Sequence, residues 1–209
     1  NITQVEVTTK EGVDYRPVMG RSPERIFVTI ESSIPSDDTL GVGGYGYGRW
    51  QVKQPDGSWE YCMDEPFTYG TYRMCISLDN KVVDGTYHAL TKNTVLIVDG
   101  KTWTADPYSY VNYYGDPNGR GEISFNSPEM DVIPLANVSD STPVRCYVKP
   151  TLGEFAVPLG DDFSFTVEPK DYYELTDPDK LEVYVNGDLV TPDGDGVYTV
   201  QNVTEDLDI

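Results

Sequence analysis

Apolar and polar side chains alternate one for one through short stretches of this chain, and that alternation is the tightest constraint on its fold. Ile26-Phe27-Val28-Thr29-Ile30, Tyr72-Arg73-Met74-Cys75-Ile76 and Thr94-Val95-Leu96-Ile97-Val98 all carry it. Successive side chains on an extended backbone point to opposite faces, so each stretch gains one oily face and one wet face, as a half-buried β-strand does. Turn residues tolerant of positive φ sit between the stretches: Pro55-Asp56-Gly57 before Ser58-Trp59, Asp99-Gly100 before Lys101-Thr102-Trp103, and Asn186-Gly187 before Asp188-Leu189-Val190. These are hairpin signals. The same punctuation argues against helices, since 19 Gly and 15 Pro recur throughout the chain.

Strand-like stretches at 4–9, 25–31, 48–53, 58–63, 71–78, 93–98, 121–126 and 130–134 follow one another in the rhythm of a sandwich or barrel. Small polar residues then take over between Pro134 and Pro143, namely Asn137, Ser139, Asp140, Ser141 and Thr142. We read a linker there, because domain boundaries fall in polar, turn-rich stretches. A second strand series follows at 145–149, 162–167, 181–186 and 196–200. The expected fold is all-β, with two β-sandwich, Ig-like domains in tandem: a larger one over residues 1–136 and a smaller one over 137–209. So short a domain with so few strands is marginal on its own. Leu207-Asp208-Ile209 reads as the opening of a strand, so we expect the second domain to be truncated at its C-terminal end. The start at Asn1, without a charged-then-apolar leader, points to a processed or excised piece, a monomer within a longer multidomain chain.

Charge narrows the partners. Fifteen basic and 35 acidic residues leave a net charge of −20, and such a field repels the phosphate backbone of nucleic acid and anionic membrane surfaces. Residues 1–136 hold 11 basic and 19 acidic side chains, net −8, while 137–209 hold 4 and 16, net −12. The acidity is concentrated in the smaller domain. No apolar run approaches the ~18 residues that cross a bilayer, so we expect no membrane insertion by this segment. Cations and neutral sugars remain the electrostatically permitted ligands.

Chemistry-bearing constellations fail one by one. His88 is the single histidine, and its setting, Gly85-Thr86-Tyr87-His88-Ala89-Leu90, carries no nucleophile elbow or oxyanion signature. Cys62, Cys75 and Cys146 are odd in number and lack the paired spacing of zinc sites. Cys62 and Cys75 fall in neighbouring expected strands, which leaves a bridge open, but buried free thiols are the preferred reading. Gly41-Val42-Gly43-Gly44 has neither the Lys-Ser/Thr nor the following helix of a phosphate cradle. Asp193 and Asp195 before Gly196 echo a calcium loop, but Thr191 and Asn202 would occupy its first and closing ligand positions. A hairpin turn is the better reading. Paired carboxylates for glycoside cleavage stay open as a remote alternative, because the separation they need is spatial. The expectation is no catalytic residue, no metal site and no cofactor.

Aromatic residues are the most suggestive feature. Tyr45, Tyr47 and Trp50 share one segment, and Tyr108, Tyr110, Tyr113 and Tyr114 another. Rings exposed on a sheet can stack against sugars while their hydroxyls hydrogen-bond. The plainer reading is that alternate tyrosines share a strand face and pack a core or an interface between domains.

The run Phe67-Thr68-Tyr69-Gly70-Thr71-Tyr72-Arg73, then Ile76 and Leu78, then Thr94-Val95-Leu96-Ile97-Val98-Asp99-Gly100-Lys101, resembles a pattern in surface proteins of gut Firmicutes. There a Phe-x-x-Gly-x-Tyr strand start precedes an alternating strand and, later, a valine-rich strand closed by Asn/Asp-Gly-Lys. Val183-Tyr184-Val185-Asn186-Gly187 and the stretch from Asp193-Gly194-Asp195-Gly196-Val197-Tyr198 onward look like a second, Ig-like module of the same proteins. The resemblance implies a non-catalytic module of a bacterial protein that is extracellular, either secreted or attached to the cell wall, and acts as spacer or adhesion support. Its alternative is a module that binds a glycan or host surface protein through the tyrosines of the first domain.

Overall fold

The computed structural model describes residues 4–9, 11, 14–23, 28–31, 40–42, 48–62, 64–80, 82–83, 86–87, 90, 93–106, 111–112, 121–141, 145–174 and 181–209. The chain divides into two compact units, Asn1–Val132 and Ile133–Ile209. Every regular element among the described residues is a strand, and each unit is consistent with a β-sandwich.

The first unit contains β1 (Gln4–Thr9), β2 (Val28–Glu31), β3 (Leu40–Val42), β4 (Arg49–Lys53), β5 (Trp59–Cys62), β6 (Thr71–Asn80), β7 (Val82–Val83), β8 (Thr86–Tyr87), β9 (Val95–Val98), β10 (Lys101–Ala105), β11 (Val111–Asn112), β12 (Gly121–Asn126) and β13 (Met130–Asp131). Its main sheet runs β2-β1-β9-β10-β12-β6-β4-β5, with β11 also paired to β12 and both β3 and β13 to β6. All described pairs in it are antiparallel except β1 with β9, where Gln4 lies opposite Val95 and Val7 opposite Val98. β10 changes partners midway. Lys101, Thr102 and Trp103 pair with β9, whereas Thr104 and Ala105 pair with β12. A strand shared in this way turns a corner between two sheet halves. Their inward residues meet in one core: Val5, Val7, Leu96, Val98 and Trp103 from one half, and Trp50, Met74, Ile76, Leu78, Ile123 and Phe125 from the other. Removing side chains of this size from water contributes about 1.5–3 kcal/mol each.

The hairpin between β9 and β10 is set by local chemistry. Asp99 and Gly100 have φ of 47° and 76°, the two positive values that match a two-residue turn to strand twist. Asp99 adds a clamp, its carboxylate accepting from the Thr9 backbone N–H at 3.0 Å and from the Thr9 hydroxyl at 2.6 Å.

The second unit contains β14 (Leu135–Ser139), β15 (Cys146–Pro150), β16 (Ala156–Pro158), β17 (Phe163–Pro169), β18 (Val183–Val185), β19 (Asp188–Val190), β20 (Tyr198–Val200) and β21 (Leu207–Asp208). One sheet runs β16-β14-β21, another β15-β17-β20, and β18 and β19 form a hairpin. Ala136, Val138, Val157 and Leu207 from the first sheet, Val148, Phe163, Phe165 and Tyr198 from the second, and Val183 and Val185 from the hairpin form one buried cluster. Phe165 stacks between Phe163, at 5.7 Å, and Tyr198, at 5.3 Å.

Half of the stretch read as a linker is instead strand. β14 occupies it, with Ala136 and Val138 buried and Asn137 and Ser139 facing out. Small apolar residues alternating with small polar ones resemble a linker in composition, although their period is that of a strand.

Candidate functional site

β4, β5 and β6 lie side by side, so their registers decide which side chains share a face. Lys53 is opposite Trp59, and Gln51 is opposite both Tyr61 and Arg73. The pleat then turns Trp50, Tyr72 and Met74 toward the core and Arg49, Gln51, Lys53, Trp59, Tyr61 and Arg73 the other way. Three cations and two aromatic rings are thereby gathered on one sheet face of a strongly acidic protein.

The cations are held against the rings. The Arg73 guanidinium lies 4.1 Å from the Trp59 ring centroid, the Lys53 ammonium 5.6 Å from the same ring, and the Arg49 guanidinium 5.5 Å from the Tyr61 ring. Each distance is within the ~6 Å over which a cation feels the ring quadrupole. Arg73 Nε also donates to Gln51 Oε1 at 2.7 Å, and Lys53 pairs with Glu129 at 2.9 Å. Tyr61 remains 51% exposed, while Gln51 beneath it is 8% exposed.

Cys75 also lies on this outward side, opposite Arg49, yet is only 7% exposed. Burial pushes its thiol up, opposed by a hydrogen bond with Ser124, the Arg73 charge and a hydrogen bond with Tyr61. Cys62 is opposite Trp50 and packs against the core. Burial, with the Glu65 carboxylate adding to it, pushes that thiol up to about 11. Both cysteines are free, and the topology explains why. β4 separates them, which sets their Cα atoms about 9–10 Å apart at normal strand spacing, beyond the ~7 Å a disulfide tolerates. They also occupy opposite faces.

The second unit repeats the motif. The Arg145 guanidinium is 5.4 Å from the Tyr173 ring and the Lys170 ammonium 4.9 Å from the Tyr147 ring, while Lys149 pairs with Glu168. Tyr147 and Tyr173 are 46% and 47% exposed.

Of the aromatic residues singled out from sequence, Trp50 requires correction. It is 2% exposed and sits edge-on to Phe67, ring centroids 5.0 Å apart. It belongs to the core because its neighbours Arg49 and Gln51 take the outward positions. Tyr45, Tyr47, Tyr108, Tyr110, Tyr113 and Tyr114, like His88, lie outside the described residues. Trp59 and Tyr61 were missed. Their signal is a cross-strand one: Arg49-x-Gln51-x-Lys53 and Trp59-x-Tyr61 flank Pro55-Asp56-Gly57, and folding the hairpin at that turn puts cations opposite rings.

Among the described residues, no group of three or more His, Cys, Asp or Glu could hold a metal ion. Asp193 lies in a turn, its carboxylate accepting the backbone N–H groups of Asp195 and Val197, each at 2.9 Å. No family model, curated protein or solved structure matches the chain.

Proposed function

We propose that this chain is a non-catalytic module of a secreted or cell-surface bacterial protein, built from Ig-like sandwich units, and that it supports adhesion by contacting carbohydrate. The observation that carries this reading is the outward face of β4, β5 and β6. There Tyr61 is half exposed, and the Arg49 and Arg73 guanidinium groups are held over the Tyr61 and Trp59 rings. A sugar presents apolar C–H patches and a fringe of hydroxyls, which suit an aromatic surface edged with N–H donors. The resemblance of the stretch 67–101 to surface proteins of gut Firmicutes supports the location.

A glycan array probed with the whole chain tests the binding. We expect retained signals on a restricted set of glycans, falling at least tenfold in Trp59→Ala and Tyr61→Ala with folding intact by circular dichroism. A blank array, or binding indifferent to both substitutions, overturns the assignment to this face. Loss confined to Tyr110→Ala and Tyr113→Ala would move the site to the tyrosine-rich segment instead. Location is tested separately, by protease shaving of intact cells that express the parent protein.

A further inference from the structure

The chain enters the second unit through β14 and reaches Ile209 through β21, and these two strands are parallel neighbours. Val138 lies opposite Leu207, and Ser139 opposite Asp208. The strand direction has a mechanical consequence. In an antiparallel terminal pair, both outer ends emerge together, and tension opens the hydrogen bonds one after another. In a parallel pair the outer ends emerge at opposite ends, and tension shears all the bonds at once.

The bonds across this seam are numerous for so short a pair. The Ile209 N–H donates to the Ser139 carbonyl at 3.0 Å, and the Ser141 N–H to the Ile209 carbonyl at 2.8 Å. The Asp206 carboxylate accepts the Asn137 N–H at 2.7 Å. The Ser139 hydroxyl lies 3.1 Å from the Leu207 carbonyl and 2.9 Å from the Asp208 carboxylate. On the other side of β21, Asn186 secures it three times: its N–H donates to the Asp208 carbonyl at 2.9 Å, its Oδ1 accepts the Asp208 N–H at 2.7 Å, and its Nδ2 donates to the Asp206 carbonyl at 3.0 Å. Val138, Leu207 and Ile209 are buried, anchoring the seam in the core. The first unit lacks this arrangement among its described residues: β1 pairs with β2 and β9, while its last strand, β13, pairs with β6.

We propose that the second unit is a tension-bearing element whose β14–β21 seam acts as a shear clamp. Force arriving along the chain passes from β14 to β21 across their shared bonds, and the rest of the unit is shielded from it. The clamp rests on the adhesion reading only in requiring that tension reach both ends of the unit in the parent protein.

Single-molecule force spectroscopy on the whole chain tests the clamp, with the second unit recognised by the length released from Ile133–Ile209, about 3.6 Å per residue when extended. Pulled between the chain termini, this unit should rupture at a force several-fold higher than when pulled between the C-terminus and a click-reactive residue replacing Asp140. The latter handle lies at the same end of the seam as Ile209 and peels β21 away. Asp206→Ala should lower the terminal rupture force more than Val183→Ala, a core change outside the seam, when the two are compared at equal chemical stability. Equal forces in the two pulling geometries, or equal effects of the two substitutions, overturn the clamp. Neither outcome depends on glycan binding or surface location, so the adhesion reading stands or falls on its own experiments.

Discussion

Cys62 lies against the core with its thiol held at about 11, which makes it a poor nucleophile at neutral pH because the thiolate reacts and the thiol does not. Alkylation of Cys62, followed by mass spectrometry, should stay slow through pH 9 and accelerate toward pH 11. Burial raises the folded-state value above the unfolded one, so between the two the unfolded chain has already lost the proton that the folded chain keeps. Stability contributed by this group is therefore present below the unfolded value of 9.0 and lost as pH rises toward 11. Reactivity at pH 8 matching that of a free thiol would refute the burial argument. The free state of both thiols was the preferred reading of their sequence context, but their separation was not legible, because only the insertion of β4 between β5 and β6 sets it. Trp50 shows the opposite failure. A tryptophan among tyrosines resembles a platform in sequence, and strand parity sends it inward.

At the scale of elements, the hairpins were the most legible features, since their turns depend on local backbone preferences. Asp99-Gly100 and Asn186-Gly187 both adopt paired positive φ, with Asn186 at 52° and Gly187 at 88°. A Cβ at Gly100 or Gly187 meets open space, so the cost of alanine there is the left-handed backbone alone, about 1–2 kcal/mol. Denaturant titrations of Gly100→Ala and Gly187→Ala should show a loss of that size. A neutral effect would mean that the turns relax to another geometry at no cost. β14 was hidden for the reverse reason: its small Ala, Val, Asn and Ser side chains resemble a polar connection in composition, and their period of two runs over only five residues. Its identity comes from its partners β16 and β21, the latter about 70 residues away in sequence.

Among the described residues, each unit has a buried cluster of its own, so a core substitution bears first on the unit that holds it. Phe165→Ala removes a fully buried ring stacked on two others, a change that costs about 3–5 kcal/mol in a packed core. Differential scanning calorimetry should show one transition moving down by many degrees while the other keeps its midpoint. A common shift of both would mean that the units unfold as one. The excess of acid, net −20, makes the two cation and aromatic faces conspicuous: Arg49, Lys53 and Arg73 in the first unit and Arg145 and Lys170 in the second lie over rings, whereas Arg16 and Lys149 pair with carboxylates.

Strand periodicity, turn chemistry, charge and the lack of a familiar catalytic motif followed from the amino-acid sequence alone, since each depends on residues within a few positions of one another. Tertiary structure decided which faces those strands present and which strands become neighbours. Register between β4, β5 and β6 brings Arg73 over Trp59, and the parallel pairing of β14 with β21 joins the two ends of the second unit. Both depend on contacts between residues distant in sequence, where a shift of one residue would turn every side chain to the other face.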